Sequence, residues 1–338
     1  MKALILRRPG SLASLQVQDI PDPKLSDGEA LVQLEASSLN PLDYKMALAG
    51  HPAWKYPHIP GLDGAGTVIK VGDGADPALV GRKVVFYDDL RLPGSFAQMI
   101  AVKADSLALI PDGISCLDAA TLPCAGLTAL CSLKYLANLQ SGQTVLIQGG
   151  AGGVGGYAIQ IARHMGAKII TTCSPNNFEY VRSLGADFAI DYSSDSFRDR
   201  VMELTDNSGA HVVIDVMGSH SAGIGLTCLG YGGHLICLSG LPDLSKHGSS
   251  NPATSIHDVA FGTVHASGRS KDLIEQRKQL SELIDFLATG VLQSTRSKTI
   301  GMAEIPAALE ELRERHVRGK IVADMTSPIP DLEPMTYT

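Results

Sequence analysis

From about residue 144 the chain alternates short apolar runs with stretches of helical spacing, and the alternation predicts an architecture. Strands read at 144–148, 168–173, 187–191, 211–216 and 233–238, and helical stretches at 154–166, 176–184, 195–204 and 219–229. A β-α-β-α rhythm of this kind builds an α/β fold around a doubly wound parallel sheet, with its ligand at the carboxyl ends of the strands. A sixth strand is expected around 257–266, followed by a charged amphipathic helix near 271–289. The first 120 residues are patterned differently. Residues 1–8 read as an edge strand, and apolar runs at 30–34, 66–71, 83–87 and 96–102 lie close together between glycines and prolines. That spacing predicts a compact β-rich domain or partial barrel. Past 290 come a strand near 298–300, a helix at 305–313 and a last strand at 320–325. This tail is assigned to the first domain, because the parallel sheet already has its strands. The last dozen residues, with three prolines, read as an extended surface tail.

One junction in the pattern carries chemistry. The run Thr144-Val-Leu-Ile-Gln148 leads straight into Gly149-Gly-Ala-Gly-Gly-Val-Gly155, and helical spacing follows from Tyr157. Strand, glycine turn and helix N-terminus are what a dinucleotide pyrophosphate needs. In this reading Gly150 permits the turn, Gly152 lets backbone N–H groups approach the phosphates, and Gly155 allows close helix–strand packing; Gly153 and Val154 are counted with them as cofactor-binding residues. About 20 residues on, an acid would bind the adenosine ribose and select NAD. The strand 168–173 ends there in Cys173, while Ser174 and Asn177 beside it can donate to a phosphate. NADPH is therefore favoured over NADH. No Lys or Arg sits on 173–177, and Arg182 reads as a solvated helix-face residue.

Composition narrows the picture by exclusion. The chain has 338 residues, enough for two domains, with 44% hydrophobic and 19% charged residues. A net charge of −7 without a basic run argues against nucleic acid and anionic membrane as partners. No apolar stretch is long enough to span a bilayer, and no signal peptide is evident at the N-terminus. Six cysteines, with no C-x-x-C pair, suit reduced thiols and a cytoplasmic location.

Five motifs together, Ser38-Leu-Asn-Pro-Leu-Asp-Tyr-Lys45, Pro60-Gly-Leu-Asp-Gly-Ala-Gly66, Leu122-Pro-Cys-Ala-Gly-Leu-Thr-Ala129, the glycine turn and Arg318-Gly-Lys-Ile-Val322, stand in an order that resembles the zinc-independent quinone oxidoreductase and enone reductase branch of the medium-chain dehydrogenase/reductase superfamily. The resemblance covers nearly the whole chain. It implies a GroES-like catalytic domain from 1–121 and 292–338 around a Rossmann domain at 122–291, and a homodimer. Aligned on these motifs, two of the three catalytic zinc positions of the family's alcohol dehydrogenases hold Asn40 and Leu62, and only Cys124 stands at the third. One thiolate does not hold zinc, so no metal is expected.

Without a Lewis acid, the acceptors that suit a nicotinamide hydride are quinones and α,β-unsaturated carbonyls, whose developing charge is delocalised. The resemblance places Asn40, Asp43, Tyr44 and Lys45 beside the nicotinamide as candidate donors. For Asp43 two roles stay open, proton transfer and bracing of the helix that follows, and solvent protonation of the product remains an alternative. The same resemblance brings Thr128, Tyr192, Leu238, Ser239 and Lys320 to the cofactor, Lys320 alternatively anchoring the last strand. Trp54, Tyr56, Tyr87 and Phe261 are candidates for the substrate's surroundings. Two other readings stay open: a carbonyl or alcohol dehydrogenase without zinc, and a cofactor-binding protein with little turnover.

Overall fold

The computed structural model describes residues 1–193, 197–246, 253–260 and 262–329. Phe261, the start of the expected helix at 195–204, and the tail from residue 330 lie outside the described residues. The chain divides by packing into two compact units. One comprises 1–123, 265–277 and the part from 296 onward; the other comprises 124–264 and 278–295.

The first unit begins with β1 (Lys2–Leu6), paired antiparallel with β2 (Leu15–Asp19). β3 (Glu29–Ser38), β4 (Asp63–Val71), β5 (Lys83–Tyr87), β6 (Met99–Lys103) and β7 (Ala108–Leu109) follow. After the six strands of the second unit, the chain returns with β14 (Arg296–Gly301) and β15 (Lys320–Asp324). These build one sheet in the order β14-β15-β3-β4-β5-β7, with β6 also on β3. β3 serves two partners along one edge, β6 over Glu29–Gln33 and β15 over Ala36–Ser38, so the sheet curls as a partial barrel does. Its alternation explains why: Ala30, Val32, Leu34 and Ala36 are buried, and Val32 and Leu34 join Val68, Val84, Phe86 and Ile100 in the core. β15 pairs with β3 and so lies in this unit's sheet.

In the second unit six strands run all parallel: β8 (Thr144–Gln148), β9 (Lys168–Cys173), β10 (Phe188–Asp191), β11 (Ala210–Asp215), β12 (Leu229–Cys237) and β13 (Ser255–Asp258). Their order is β10-β9-β8-β11-β12-β13, the doubly wound arrangement, which reverses direction between β8 and β11. Ligands bind at that switch point in open α/β sheets. Val145, Leu146 and Ile147 are wholly buried, as a strand covered on both faces requires.

Two boundaries differ from the sequence reading. The sixth strand ends at Asp258, and Thr263–Ala266 is a helical turn, so the expected strand over 257–266 is mostly not strand. β12 begins at Leu229, earlier than the expected 233, and the helix before it stops at Leu226. Glycine makes the early start possible: a Cβ on Gly230 would lie 2.3 Å from the Ser208 carbonyl oxygen. No helix among the described residues is long and apolar enough to cross a membrane.

Candidate active site

In the second unit the site grows from the end of β8. Gly149 has φ +81, which favours glycine, and its N–H and that of Gly150 both donate to the Thr172 carbonyl, at 3.1 and 3.0 Å. The tight turn is therefore made at Gly149, not at Gly150 as expected. Gly150 answers a different need: a Cβ there would meet Thr171 Oγ1 at 1.9 Å. On Gly155 a Cβ would lie 2.3 Å from the Gly149 oxygen, so the helix packs directly on the turn. That helix, Gly153–His164, is preceded by Gly152 in extended conformation, with no capping side chain and no acid in its first turn. First-turn N–H groups have no partner within a helix. Those of Gly153, Val154 and Gly155 suit an anion, which the helix dipole also favours.

Next to the turn, β9 ends in Cys173, buried and pushed up to about 11 by burial, so a neutral thiol stands at the position of the NAD-selecting acid. Asn177 Nδ2 donates to Ser174 Oγ at 3.0 Å. The Arg182 guanidinium lies 5.6 Å from the ring centre of Phe178, the first residue of the helix Phe178–Leu184. The side chain thus runs back towards the helix N-terminus, and its charge acts on the Cys173 thiol. Arg182 itself is exposed, the solvated helix-face residue that the spacing suggested. Asp191, in register with Cys173 across β9 and β10, acts on the same thiol with the opposite sign. Sequence spacing missed this acid because it lies 18 residues further along the chain and arrives through strand pairing. Tyr192 beside it is largely exposed.

Asp215 ends β11 in register with Gln148 of β8; its Oδ2 accepts from Gly218 N at 2.9 Å. Burial raises its carboxyl above the usual range. Leu238 N donates to the Asp215 carbonyl, which sets Leu238 and the exposed Ser239 just past the end of β12. Thr128 is buried in the helix Pro123–Leu130, with its hydroxyl donating to the Cys124 carbonyl at 2.6 Å.

The first unit carries the other candidates. Asn40 precedes the helix Pro41–Ala49, and its backbone N–H donates to Asp43 Oδ2 at 2.7 Å, the bracing role left open for Asp43. The Asn40 amide donates to Asp63 Oδ2 at 2.9 Å and to the Ser38 carbonyl at 3.3 Å. Lys320 is buried on β15; its ammonium donates to the Leu39 carbonyl at 2.8 Å and to Asn40 Oδ1 at 2.5 Å, and lies 3.6 Å from Asp63 Oδ2. Asn40, Asp43, Asp63 and Lys320 are thus one buried polar cluster. The geometry gives Lys320 the anchoring role. Asn40 has both amide hydrogens engaged inside the unit. Of the remaining candidates on that helix, Tyr44 is packed in the core cluster and Lys45 is exposed. Asp63 was missed, although it follows Leu62 within one of the motifs.

Burial, reinforced by Asp63 and opposed by the Asn40 N–H and Lys320, pushes the Asp43 carboxyl from 3.8 up to about 8. Asp88, past β5, is pushed up to about 8 chiefly by burial. Such carboxyls hold a proton in the fold that the unfolded chain has released. Their contribution to stability is whole below 3.8 and is lost as pH rises towards about 8. The urea midpoint of this unit should therefore fall as pH rises through that window, and Asp43→Asn should flatten the fall. Trp54 is the single tryptophan and lies in this unit, so its fluorescence reports the transition. A slope identical in wild type and variant would remove Asp43 as its source.

Residues 26–112 match the family described as alcohol dehydrogenase GroES-like domain, and 153–289 match the zinc-binding dehydrogenase family. The chain is 32% identical to an alcohol dehydrogenase superfamily protein from Novosphingobium aromaticivorans, over 96% of this chain and 99% of that one, with a TM-score of 0.85. A mycobacterial protein solved in complex with NADPH is 27% identical over 96% and 100% of the two chains, TM-score 0.85. The 2-methylene-furan-3-one reductase of Solanum lycopersicum is 36% identical over 212 residues, 59% of this chain and 54% of the reductase. The chain spans between 6% and 62% of the length of the curated relatives it matches, the smallest shares being of polyketide synthases. With a Rossmann sheet, a GroES-like unit and a full-length match at 32% identity, the chain belongs to the medium-chain dehydrogenase/reductase superfamily of oxidoreductases.

Proposed function

We propose that this oxidoreductase uses NADPH to reduce quinones or α,β-unsaturated carbonyl compounds and that it works without zinc. The observation that carries the reading is what stands at the expected metal-ligand positions. Asn40 has its amide and carbonyl engaged by Ser38, Asp63 and Lys320, and Leu62 is apolar and buried. Among the described residues no group of three His, Cys, Asp or Glu is placed to hold a metal.

NADPH, when bound, supplies the hydride. The glycine turn fits it: the N–H groups of Gly153, Val154 and Gly155 would hold the pyrophosphate, with Gly152 leaving room for its approach. Ser174, Asn177 and Arg182 would take the 2′-phosphate beside the uncharged Cys173, with Tyr192 near the ribose. Thr128, Leu238 and Ser239 would line the nicotinamide end. In the first unit, Asn40, Asp43 and Lys320 hold the start of the helix Pro41–Ala49 rigid. With Tyr44 packed in the core, Lys45 on that helix is the remaining donor for the oxygen on which negative charge develops. A hydrogen bond from it lowers the barrier most where that charge is spread over a conjugated system. The product carbon is then protonated by solvent.

The test is oxidation of NADPH and of NADH by benzoquinone, cyclohexenone and acrolein, each with and without a chelator. NADPH-selective turnover that the chelator leaves unchanged is the expected result, and the preferred acceptor separates quinone from enone reduction. Loss of activity with chelator would overturn the zinc-free reading. Tight NADPH binding without turnover on any acceptor would favour a cofactor-binding protein instead.

A further inference from the structure

Away from the glycine turn and the Asn40 cluster, two histidines face one another at the end of the parallel sheet. His234 lies on β12 and His257 on β13, the outermost strand on that side. The register sets His234 opposite Ser255 and His257 opposite Ile236, so the imidazoles are diagonal neighbours on one face. His234 Nδ1 and His257 Nε2 are 3.1 Å apart. The ring planes differ by 18° and the centroids are 5.4 Å apart. That centroid separation is what near-coplanar rings give when the two nitrogens point at each other edge to edge. A hydrogen bond along this line requires a proton on one of the two facing nitrogens, and both rings are partly exposed.

We propose that His234 and His257 form a two-imidazole clip for a divalent late first-row transition-metal ion. Metal–imidazole bonds of about 2.0–2.1 Å place two neighbouring ligand nitrogens roughly 2.9–3.4 Å apart, depending on the coordination angle. The facing nitrogens already stand at that separation. Changes in χ1 and χ2 of the two side chains redirect the two lone pairs to a common point. The ring that carries the proton on its facing nitrogen passes it, through solvent, to its other nitrogen, so both facing nitrogens become ligands with no net proton release. Imidazole suits copper, nickel and zinc ions. Among the described residues no third His, Cys, Asp or Glu completes the set, so water takes the remaining positions and the ion exchanges. A bound ion ties β13 to β12 and does not depend on the reaction proposed above.

The test is calorimetric titration of the full, untagged chain with nickel chloride. One ion per chain is expected, and His234→Asn and His257→Asn should each weaken binding roughly 100-fold, because the second imidazole then no longer acts at high effective concentration. Nickel should also raise the thermal midpoint of the wild-type chain and of neither variant. Absent binding, or equal binding to wild type and both variants, overturns the clip. Should a variant fail to fold, electron paramagnetic resonance of the copper-loaded wild-type chain decides. Two coupled imidazole nitrogens per copper support the clip, and fewer than two refute it.

Discussion

Replacing Arg182 with glutamine should weaken NADPH binding roughly tenfold or more while leaving NADH binding unchanged, because one charge-assisted contact to a phosphate is lost. The expectation follows from where the guanidinium goes. It lies over the ring of Phe178, the first residue of its helix, and its charge acts on Cys173 at the end of β9. Nothing on residues 173–177 is positively charged. Asp191 on the neighbouring strand, in register with Cys173, opposes it. Asp191→Asn should therefore strengthen NADPH binding, by a smaller and salt-sensitive factor, since that carboxylate is exposed to screening. Titration of each variant with NADPH and NADH by calorimetry measures both effects. An equal loss for the two cofactors, or none, would remove Arg182 from the 2′-phosphate. A wild-type chain that binds NADH as well as NADPH would instead sink the cofactor assignment itself.

Lys320→Met is expected to destabilise the first unit by about 3–5 kcal/mol, the usual cost of stripping one partner from a buried charge pair. The side chains of Lys320 and Asp63 are 5% and 0% exposed. Without the ammonium, the Leu39 carbonyl and Asn40 Oδ1 also lose their donor. The double variant with Asp63→Asn should recover part of the loss, because it removes the stranded charge along with its partner. Urea titration followed by Trp54 fluorescence reads both. A midpoint that Lys320→Met leaves in place would mean that the cluster does not hold β15 to the start of the helix Pro41–Ala49.

Most of the second unit was legible along the chain, because parallel strands covered on both faces are written as continuous apolar runs. The runs at 144–148 and 168–173 became strands with the same limits. The glycine turn was equally plain as a motif, but the division of labour within it was not. Whether Gly149 or Gly150 takes the positive φ depends on how the turn meets Thr171 and Thr172 of the next strand, which local spacing does not encode. The expected strand over 257–266 failed for a related reason. It lies at the sheet's end, where pairing comes from one side and ends at Asp258 in register with Cys237.

By itself the sequence determined the fold class and the residue types at the candidate site. These rest on periodicity and on motifs, which are local properties of the chain. Only the tertiary structure decided which charges meet. Lys320 is 280 residues from Asn40 yet bonds to it; Asp191 reaches Cys173, and His257 reaches His234, by strand register. Electrostatic interactions and hydrogen bonds depend on distance in space, and that distance is set by packing rather than by position along the chain.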